Sequence, residues 1–495
     1  MKSIYLYPEF DSQDDIDNII SRVAWYFDPF LDQIDRIVLG CDAYEMVRRL
    51  AVARNLDPLI ANKIAKLSSK IAYHSCTGLA REIEVSNAND SVFLIWDIEK
   101  EKTAPPSITK KISEASPHSG VYRIDPDRTR QEGSFYLWCG FNKFIDQSEM
   151  IEQNKSNFAI LADELSGYTD AYVFGTGPSF SDFVEKQNFD GALCIAANSI
   201  VKNKVALERL KPQIICAADP IYHAGCSSYA GAFREALVEA MQSTNAWFIC
   251  PLRDLAIYRA ALPAKYTPRI IGIPFDREST TSIDLTAHFS LYPYPNVLTL
   301  MLLPLASTLA DNIHIAGCDG RRLLNDSFFW SHDKKVQFND QMTEIQAAHP
   351  GFFDIDYNDY YTDHCLDLER VLSELEAAGK EVISETPSLI PALHHRTPQK
   401  ETLAGGIEHS ALVMLDPDAK NDWGHFLAYD KRMSTVASSH GVAFSVVCRD
   451  EERPVVDRQL PVDVASGVVP RTDEIAPSPQ IDHDRSVSLV EGPDH

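Results

Sequence analysis

The stretch at residues 172–190, YVFGTGPSFSDFVEKQNFD, constrains the fold of this chain more than any other. Residues 171–174 form a β-prone apolar run, which predicts a short buried strand. Gly175 and Gly177 allow a sharp turn and a close approach of the backbone to a ligand, and Ser179 is placed to cap the helix that follows. Since unpaired N–H groups at the positive end of a helix attract anions, the stretch indicates a nucleotide-binding turn.

The motif by itself is short and has an ordinary structural alternative. It lacks the third glycine of a dinucleotide-binding fingerprint, and no Walker lysine follows it. A strand that simply turns into a helix would look the same. The rest of the chain therefore has to distinguish a ligand site from a plain connection.

The composition argues against several classes of protein. The formal net charge of −25 over 495 residues disfavours sequence-independent binding of nucleic acid, which requires a basic surface. The ten cysteines include no CxxC pair, so no structural zinc site is expected. There is no leader-like segment and no apolar run long enough to cross a membrane. We therefore expect a cytoplasmic protein, and a peripheral position at the inner face of the cytoplasmic membrane is compatible with the sequence.

Apolar strand-like runs alternate with helical patterns through most of the chain, which predicts an α/β fold with mainly parallel sheets. In the first part of the chain these runs fall at 3–7, 36–40, 70–73, 91–96 and 134–138. Shifts in composition divide the chain into four segments. They are an N-terminal α/β domain, a second α/β domain that carries the glycine turn, the start of a further α/β unit, and a proline-rich tail that is disordered or a linker, at residues 1–150, 151–400, 401–450 and 451–495.

Polar residues stand at the ends of predicted strands in the second domain. They are Asn198 after 192–197, Asp219 after 213–218 and Asp319 after 312–317. Because the carboxyl ends of parallel strands share one edge of a sheet, Asn198 and Asp219 are expected to meet the glycine turn there. Residues 321–362, rich in aromatic, His and Asp residues, are predicted to form a loop over that edge.

Five motifs together resemble a family of bacterial surface-polysaccharide glycosyltransferases that use CMP-activated sugars. They are GTGPS at 175–179, AAN at 196–198, KPQIICAADP at 211–220, IHIAGCDG at 313–320 and HPGFF at 349–353. The family is of Rossmann type and is related to the bacterial sialyltransferases. The resemblance covers roughly residues 165–395. The additional N-terminal α/β domain is more similar to the two-domain transferases for Kdo, another CMP-activated keto-sugar acid.

This resemblance implies two Rossmann-like domains in a GT-B-like arrangement, followed by an extra C-terminal segment. The first domain would lie on the acceptor side, and the second would bind the nucleotide sugar and carry catalysis. The implied reaction moves a keto-sugar acid, of Kdo or sialic-acid type, from a CMP donor to a saccharide or lipid-linked saccharide in lipopolysaccharide or capsule synthesis. The chain departs from the sialyltransferases at Asn296, where they carry a Thr-Ser-Gly turn, and in the tyrosine spacing after Asp319. These departures leave the sugar open.

The resemblance also implies the nucleotide side of the site. Gly175, Thr176, Gly177 and Ser179 would hold phosphate or ribose, and Asn198 would hydrogen-bond phosphate or base. Because the donor is a monophosphate conjugate, the reaction requires no metal and no cofactor besides the CMP sugar itself.

Asp219 is the first choice for the catalytic carboxylate. It would act as a general base toward the acceptor hydroxyl, or as a nucleophile if the anomeric configuration is retained. The structural alternative is an Asp that caps the turn at Pro220. Asp319 is a second catalytic candidate, and His332 would protonate or hydrogen-bond the leaving phosphate because His titrates nearest to neutral pH.

Further residues are expected to bind the substrate. Arg321 and Arg322 would hold the sugar carboxylate or the phosphate through their forked donors. His349 would contact the leaving phosphate, and Asn296 would contact the substrate at the start of an apolar helix. Surface salt bridges and a solvated loop histidine are the structural alternatives.

Two other functions are open at this point. Pterin pyrophosphokinases share a similar glycine turn and Asp-Pro pattern, and would need ATP and Mg²⁺. A module that binds a nucleotide sugar without turnover is the other. The expected partners of the leading hypothesis are the CMP-activated sugar and the saccharide acceptor, with no nucleic acid.

Overall fold

The computed structural model describes residues 2–42, 49–115, 120–278, 282–321, 332–354 and 357–398, and the backbone of two strands further on. The chain divides into two compact units, residues 1–398 and residues 399–494. The larger unit contains two parallel β-sheets and many helices, which confirms the predicted α/β class. No described helix is long and apolar enough to cross a membrane.

The N-terminal sheet has five parallel strands within the described residues, in the order β3-β2-β1-β4-β5. Their bounds are Lys2–Tyr7, Ile34–Gly40, Ile71–His74, Ser91–Ile95 and Val121–Arg123. Strand β4, which lies between β1 and β5, is buried along its whole length. A parallel strand covered on both faces is apolar throughout, and for that reason these strands are visible in the sequence as unbroken apolar runs.

The second sheet of the same unit has seven parallel strands, in the order β10-β9-β8-β7-β6-β11-β12, where the structure describes it. The strands β6 to β12 are Asp170–Phe174, Leu193–Ala197, Ile214–Cys216, Trp247–Pro251, Ile270–Ile273, Asn312–Ala316 and Glu381–Ser384. Successive strands β6 to β10 are added in one direction, and β11 and β12 are added on the other side of β6. The order therefore reverses between β6 and β11, and in open α/β sheets ligands bind outside the carboxyl ends of strands at such a reversal.

The described α-helices of the larger unit cover the faces and ends of these sheets. They are Gln13–Phe27, Ile60–Leu67, Cys76–Val85, Ile98–Glu101, Pro106–Ala115, Glu132–Phe144, Gln147–Glu164, Phe180–Lys186, Lys204–Leu210, Ser228–Thr244, Leu255–Ala261, Leu303–Leu309, Met342–Ala348, Pro350–Phe353, Tyr357–Ala377 and Pro391–His394. A π-helical turn, Leu298–Leu302, leads into Leu303–Leu309. Pro304 has no N–H to donate to the preceding turn, which agrees with the irregular hydrogen bonding there.

Two local predictions were wrong. Residues 134–138 lie in the helix Glu132–Phe144 and not in a strand, since the aromatic run is buried at helical spacing, with Tyr136, Gly140 and Phe144 on one face. The predicted loop at 321–362 contains the helices Met342–Ala348 and Pro350–Phe353 and the start of Tyr357–Ala377. Short apolar runs carry little periodicity, and tertiary packing decides their structure.

A buried ionic cluster connects the N-terminal part of the larger unit to the helices near residue 350. Arg22 pairs with Glu132 at 2.7 Å, and their side chains are 1% and 0% exposed. The ring Nδ1 of His349 also contacts Glu132 and lies 3.3 Å from the Arg22 guanidinium. Burial opposes the charge of Glu132, but Arg22 and His349 outweigh it and lower the pKa of this carboxyl.

The boundary predicted between residues 150 and 151 falls inside the helix Gln147–Glu164. Asn154 on this helix accepts a hydrogen bond from the amide of Gly272 at 2.8 Å, so the helix is attached to strand β10 of the second sheet.

The smaller unit contains a parallel pair of strands, β13 at Ala411–Leu415 and β14 at Ala443–Val447. The tail predicted at 451–495 lies outside the described residues.

Candidate functional site

Four predicted site residues follow four neighbouring strands of the second sheet. Asp219, Asn198, Gly175 and Asp319 come after β8, β7, β6 and β11, and these strands are adjacent in that order. Neighbouring strands are about 4.8 Å apart, so the row is roughly 14 Å long. That length suits a ligand larger than a single phosphate or sugar ring.

The amide groups of the glycine turn are bound within the protein. The N–H of Gly175 donates to Ala316 and that of Gly177 to Gly317, both at 2.8 Å. The Asp319 carboxylate accepts hydrogen bonds from the backbone N–H of Ser179 at 3.1 Å and from its hydroxyl at 2.8 Å. The carboxylate therefore occupies the position at the helix start that the sequence assigns to phosphate. A nucleotide bound here would use side chains and not these amides.

The glycines of this turn allow two loops to approach each other. A Cβ on Gly175 would lie 2.5 Å from the carbonyl oxygen of Gly317, and one on Gly177 would lie 2.1 Å from Asp319 Oδ2. The positive backbone φ angles belong to the opposite loop, at Gly317 (φ 70°) and Gly320 (φ 72°). The turn after β6 is thus packed directly against the turn after β11.

His332 lies against the glycine turn. Its ring Nδ1 is 2.7 Å from the hydroxyl of Thr176, and the next amide, of Asp333, donates to the Thr176 carbonyl at 2.8 Å. Burial lowers the pKa of His332 to about 4. At neutral pH the ring is uncharged, so it can form hydrogen bonds to a ligand but is poorly suited to protonate a leaving group.

Asn198 has a strained backbone and an unpaired side-chain oxygen. Its φ angle is 53°, in the left-handed region that a residue with a Cβ adopts at a cost. The carboxamide Oδ1 is buried and has no hydrogen-bond partner among the described residues. Buried polar atoms are normally paired, and a ligand or an ordered water would satisfy this one. The observation agrees with the predicted contact to a nucleotide.

Comparison with protein-family models, curated protein sequences and solved structures found no match to this chain.

Asp219 has the local geometry of a turn cap together with an altered proton affinity. Its Oδ1 accepts the amides of Ile221 at 2.8 Å and Tyr222 at 2.9 Å. Burial raises the pKa of the Asp219 carboxyl, although the two amides and the charge of Arg253 oppose the shift. Capping occupies one carboxylate oxygen, so the geometry permits a catalytic role as well. A carboxylate whose pKa is raised is a better proton acceptor.

A fifth strand contributes a charged pair that the sequence analysis missed. Arg253 and Asp254 follow β9, next to β8, and the guanidinium Nε lies 2.6 Å from Asp254 Oδ1. Their side chains are 7% and 1% exposed. Burial raises the pKa of Asp254, and the Arg253 charge opposes that shift. The same rule that selected Asp219, a polar residue directly after a buried strand, would have found this pair.

The predicted substrate-binding residues lie in varied surroundings. Arg321 is 6% exposed and contacts Asn358, and its guanidinium lies 5.7 Å from the ring centre of Tyr361. Asn296 is 6% exposed, and its Oδ1 caps the following helical turn by accepting the Leu298 amide at 2.9 Å. Both side chains are buried, and their polar groups contact other groups of the protein.

His349 is 0% exposed within the cluster with Arg22 and Glu132, so a ligand could reach it only if this cluster opened. The predicted role in substrate binding is therefore not supported by its position. Arg322 lies outside the described residues. Within the described residues no group of three or more His, Cys, Asp or Glu side chains is arranged to hold a metal ion.

Proposed function

We propose that this chain is a glycosyltransferase that moves a keto-sugar acid from a CMP-activated donor to a saccharide acceptor. The observation that carries the proposal is the row of Gly175, Asn198, Asp219 and Asp319 along the carboxyl edge of one sheet. Each of these residues lies in one of the five motifs on which the resemblance to CMP-sugar transferases depends, and only the motif at 349–353 is not represented. Their meeting at the reversal of strand order agrees with the binding of a nucleotide there.

In this proposal Asn198 and Thr176 contact the nucleotide, and Asp219 faces the reacting sugar. The buried, unpaired Oδ1 of Asn198 is suited to accept a hydrogen bond from the amino group of cytosine or from ribose. Asp219 acts as general base or nucleophile, and its raised pKa favours proton acceptance. Asp319 is assigned to positioning, since its carboxylate holds Ser179.

The finer architecture is also part of the proposal. The two parallel sheets would correspond to the acceptor and donor halves of a GT-B-like transferase, with the acceptor bound against the N-terminal sheet. A cytoplasmic position, at the inner face of the membrane when the acceptor is lipid-linked, follows from the proposed reaction.

A thermal-shift panel tests the proposal and separates it from the two alternatives. CMP, UDP, GDP and ATP are each added with and without Mg²⁺, because a ligand that binds only the native state raises the melting temperature by mass action. The proposal expects stabilisation by CMP without Mg²⁺. Stabilisation by ATP that depends on Mg²⁺ would instead identify a pyrophosphokinase. Binding of CMP sugar without release of CMP in the presence of acceptor would identify a non-catalytic module.

The variant Asn198→Ala locates the site. It should abolish the CMP-dependent shift, whereas Gly167→Ala, where an added Cβ meets nothing within 4 Å, should leave the shift intact. An unchanged shift in Asn198→Ala would place CMP elsewhere.

A further inference from the structure

The loop after strand β5 carries an arginine that no hydrogen bond or ion pair engages within the described residues. Arg130 is exposed, and it differs from the two nearby arginines in having no ion pair among the described residues. Arg123 pairs with Glu101 at 2.8 Å, and Arg128 lies 3.5 Å from Glu99. The guanidinium donors of Arg130 are therefore not committed to a protein carboxylate within the described residues.

This loop is held firmly in place. The buried carboxylate of Asp125 accepts the amides of Ile98 at 3.1 Å, Asp127 at 3.0 Å and Arg128 at 3.2 Å. The Thr129 amide donates to the Asp125 carbonyl at 2.8 Å. Arg130 is therefore presented from a rigid turn, which reduces the conformational entropy that binding a ligand would cost.

The loop is packed against the elements that surround Asp219. Gly351 donates its N–H to the Pro126 carbonyl at 2.9 Å, and a Cβ at this glycine would lie 3.0 Å from the Arg128 amide. The next residue, Phe352, packs edge-to-face on Tyr222, with ring centres 5.8 Å apart. The amide of Tyr222 is one of the two that Asp219 holds.

Arg130 and Asp219 both influence the ionisation of a nearby tyrosine. Burial is the main cause that raises the pKa of Tyr357 and Tyr360, and the Arg130 charge opposes both shifts. The Asp219 charge adds to the rise for Tyr360. Arg130 and Asp219 thus act on one phenol from the N-terminal loop and from the second sheet.

We propose that Arg130 is the cationic contact for an anionic group, a carboxylate or a phosphate, on a substrate bound in front of Asp219. A guanidinium presents paired donors that match either group, and its exposed position leaves these donors available. This assigns to Arg130 the recognition that the sequence suggested for Arg321, which contacts Tyr361 and Asn358 instead. The anion contact stands on the geometry of the loop, and only its identification as a CMP-linked sugar acid rests on the proposed function.

The test compares Arg130→Gln and Arg130→Lys with Arg128→Gln as the matched control on the same loop. Calorimetry with CMP-N-acetylneuraminate, CMP and cytidine should show that Arg130→Gln weakens binding of the sugar acid by roughly tenfold or more, the size of a lost charge-assisted hydrogen bond. The affinity of Arg130→Lys should lie between those of the wild type and Arg130→Gln, because lysine keeps the positive charge but lacks the paired donors of the guanidinium. Arg128→Gln should bind like the wild type.

The three probes distinguish the two anions. A loss confined to CMP-N-acetylneuraminate assigns Arg130 to the carboxylate, and an equal loss for CMP assigns it to the phosphate. Unchanged binding of all probes by folded Arg130→Gln would overturn the inference.

A second measurement tests the anion contact at Arg130 even if the protein does not bind a CMP-activated sugar. If wild-type protein binds none of the cytidine compounds, the proposed function fails, and Arg130 is then tested with inorganic pyrophosphate. Phenylglyoxal modifies exposed arginines, and peptide mass spectrometry reports each one. Pyrophosphate should slow modification of Arg130 and leave that of Arg128 unchanged. Equal rates at Arg130 with and without pyrophosphate would then overturn the anion contact.

Discussion

The imidazole Nδ1 of His332 lies 2.7 Å from the hydroxyl oxygen of Thr176, although the two residues are 156 positions apart in the chain. The adjacent Asp333 reinforces this contact, since its carboxylate accepts the Ser181 amide at 3.2 Å on the helix that follows the glycine turn. Residues 332 and 333 are therefore held against the glycine turn and form one side of the candidate site.

We expect His332 to remain neutral well below pH 6. Burial lowers its pKa to about 4, whereas the pKa of His314 is raised. A pH titration followed by NMR should show the His314 ring becoming charged before the His332 ring as the pH falls. Because the unfolded chain binds a proton at this position near its ordinary pKa of 6.5, stability should fall as the pH drops from there toward 4. A His332 resonance that titrates near pH 6.5 would contradict the buried position.

Gly177→Ala should destabilise the protein and disturb the turn. The new Cβ would lie 2.1 Å from Asp319 Oδ2 and 2.7 Å from the Gly317 carbonyl, so one of the two loops must move. We expect a loss of roughly 1–3 kcal/mol in the free energy of unfolding, as for overpacked sites. The control is Gly167→Ala, where the Cβ meets nothing within 4 Å. Chemical denaturation should separate the two variants, and equal midpoints would show that the loops are not packed as described.

The contact between the turn at Gly177 and Asp319 shows which parts of the site can be predicted from the sequence and which cannot. Asp219, Asn198 and Asp319 were predicted at strand ends, because a buried parallel strand is an unbroken apolar run with a polar residue after it. The partner of Asp319 was not predictable, since Ser179 is 140 residues away and only the adjacency of β6 and β11 brings them together. A pattern of single residues does not specify which strands are neighbours.

The environment of His349 was unpredictable for a related reason. In the sequence HPGFF it looks like an exposed loop residue, but it is buried with Arg22 and Glu132, which come from distant helices. Burial of a charged group depends on whether an opposite charge arrives from elsewhere in the fold. The aromatic run at 134–138 shows the same limit, because its residues favour strands locally and form a helix only when packed.

The cluster itself supports a prediction about stability. Glu132→Gln removes the carboxylate that pairs with the buried Arg22 and leaves that charge uncompensated, which costs roughly 3–5 kcal/mol. The control Glu101→Gln breaks the pair with Arg123, which is 52% exposed, and such surface pairs contribute about 0–1 kcal/mol. Urea denaturation should therefore show a large shift for Glu132→Gln alone. Equal shifts would mean that the buried pair contributes no more than the exposed one.

His314 should contribute to the free energy of unfolding by an amount that depends on pH. Partial burial opposes its charge, but hydrogen bonds to Glu385 and Asp170 outweigh this and raise its pKa. The stabilisation is therefore full below the ordinary value of 6.5 and is lost as the pH rises through the higher folded-state pKa. The pKa of Asp170 is lowered in the folded protein. The stabilisation that its carboxylate contributes is therefore lost only as the pH falls through a folded-state pKa below 3.8. The melting temperature of His314→Gln should lie below that of the wild type near pH 5.5, and the gap should narrow as the pH rises past the folded-state pKa. A constant gap would exclude titration of His314 as its cause.

The decisive test of the catalytic assignment is Asp219→Asn. The carboxamide oxygen can still accept the amides of Ile221 and Tyr222, so the turn and the melting temperature should be preserved. The variant cannot accept a proton from the acceptor hydroxyl or readily form an ester. Sugar transfer should then fall by roughly two to four orders of magnitude with little change in CMP affinity.

The variant Asp219→Ala separates catalysis from capping. It loses the cap as well, so its stability should fall by about 1 kcal/mol relative to Asp219→Asn. If Asp219 is only a cap, Asp219→Asn will transfer sugar at the wild-type rate. If Asp219→Asn is inactive, mass spectrometry of wild-type protein incubated with donor alone distinguishes the two catalytic roles. A nucleophile leaves a sugar on the peptide that contains Asp219, and a general base leaves that peptide unmodified.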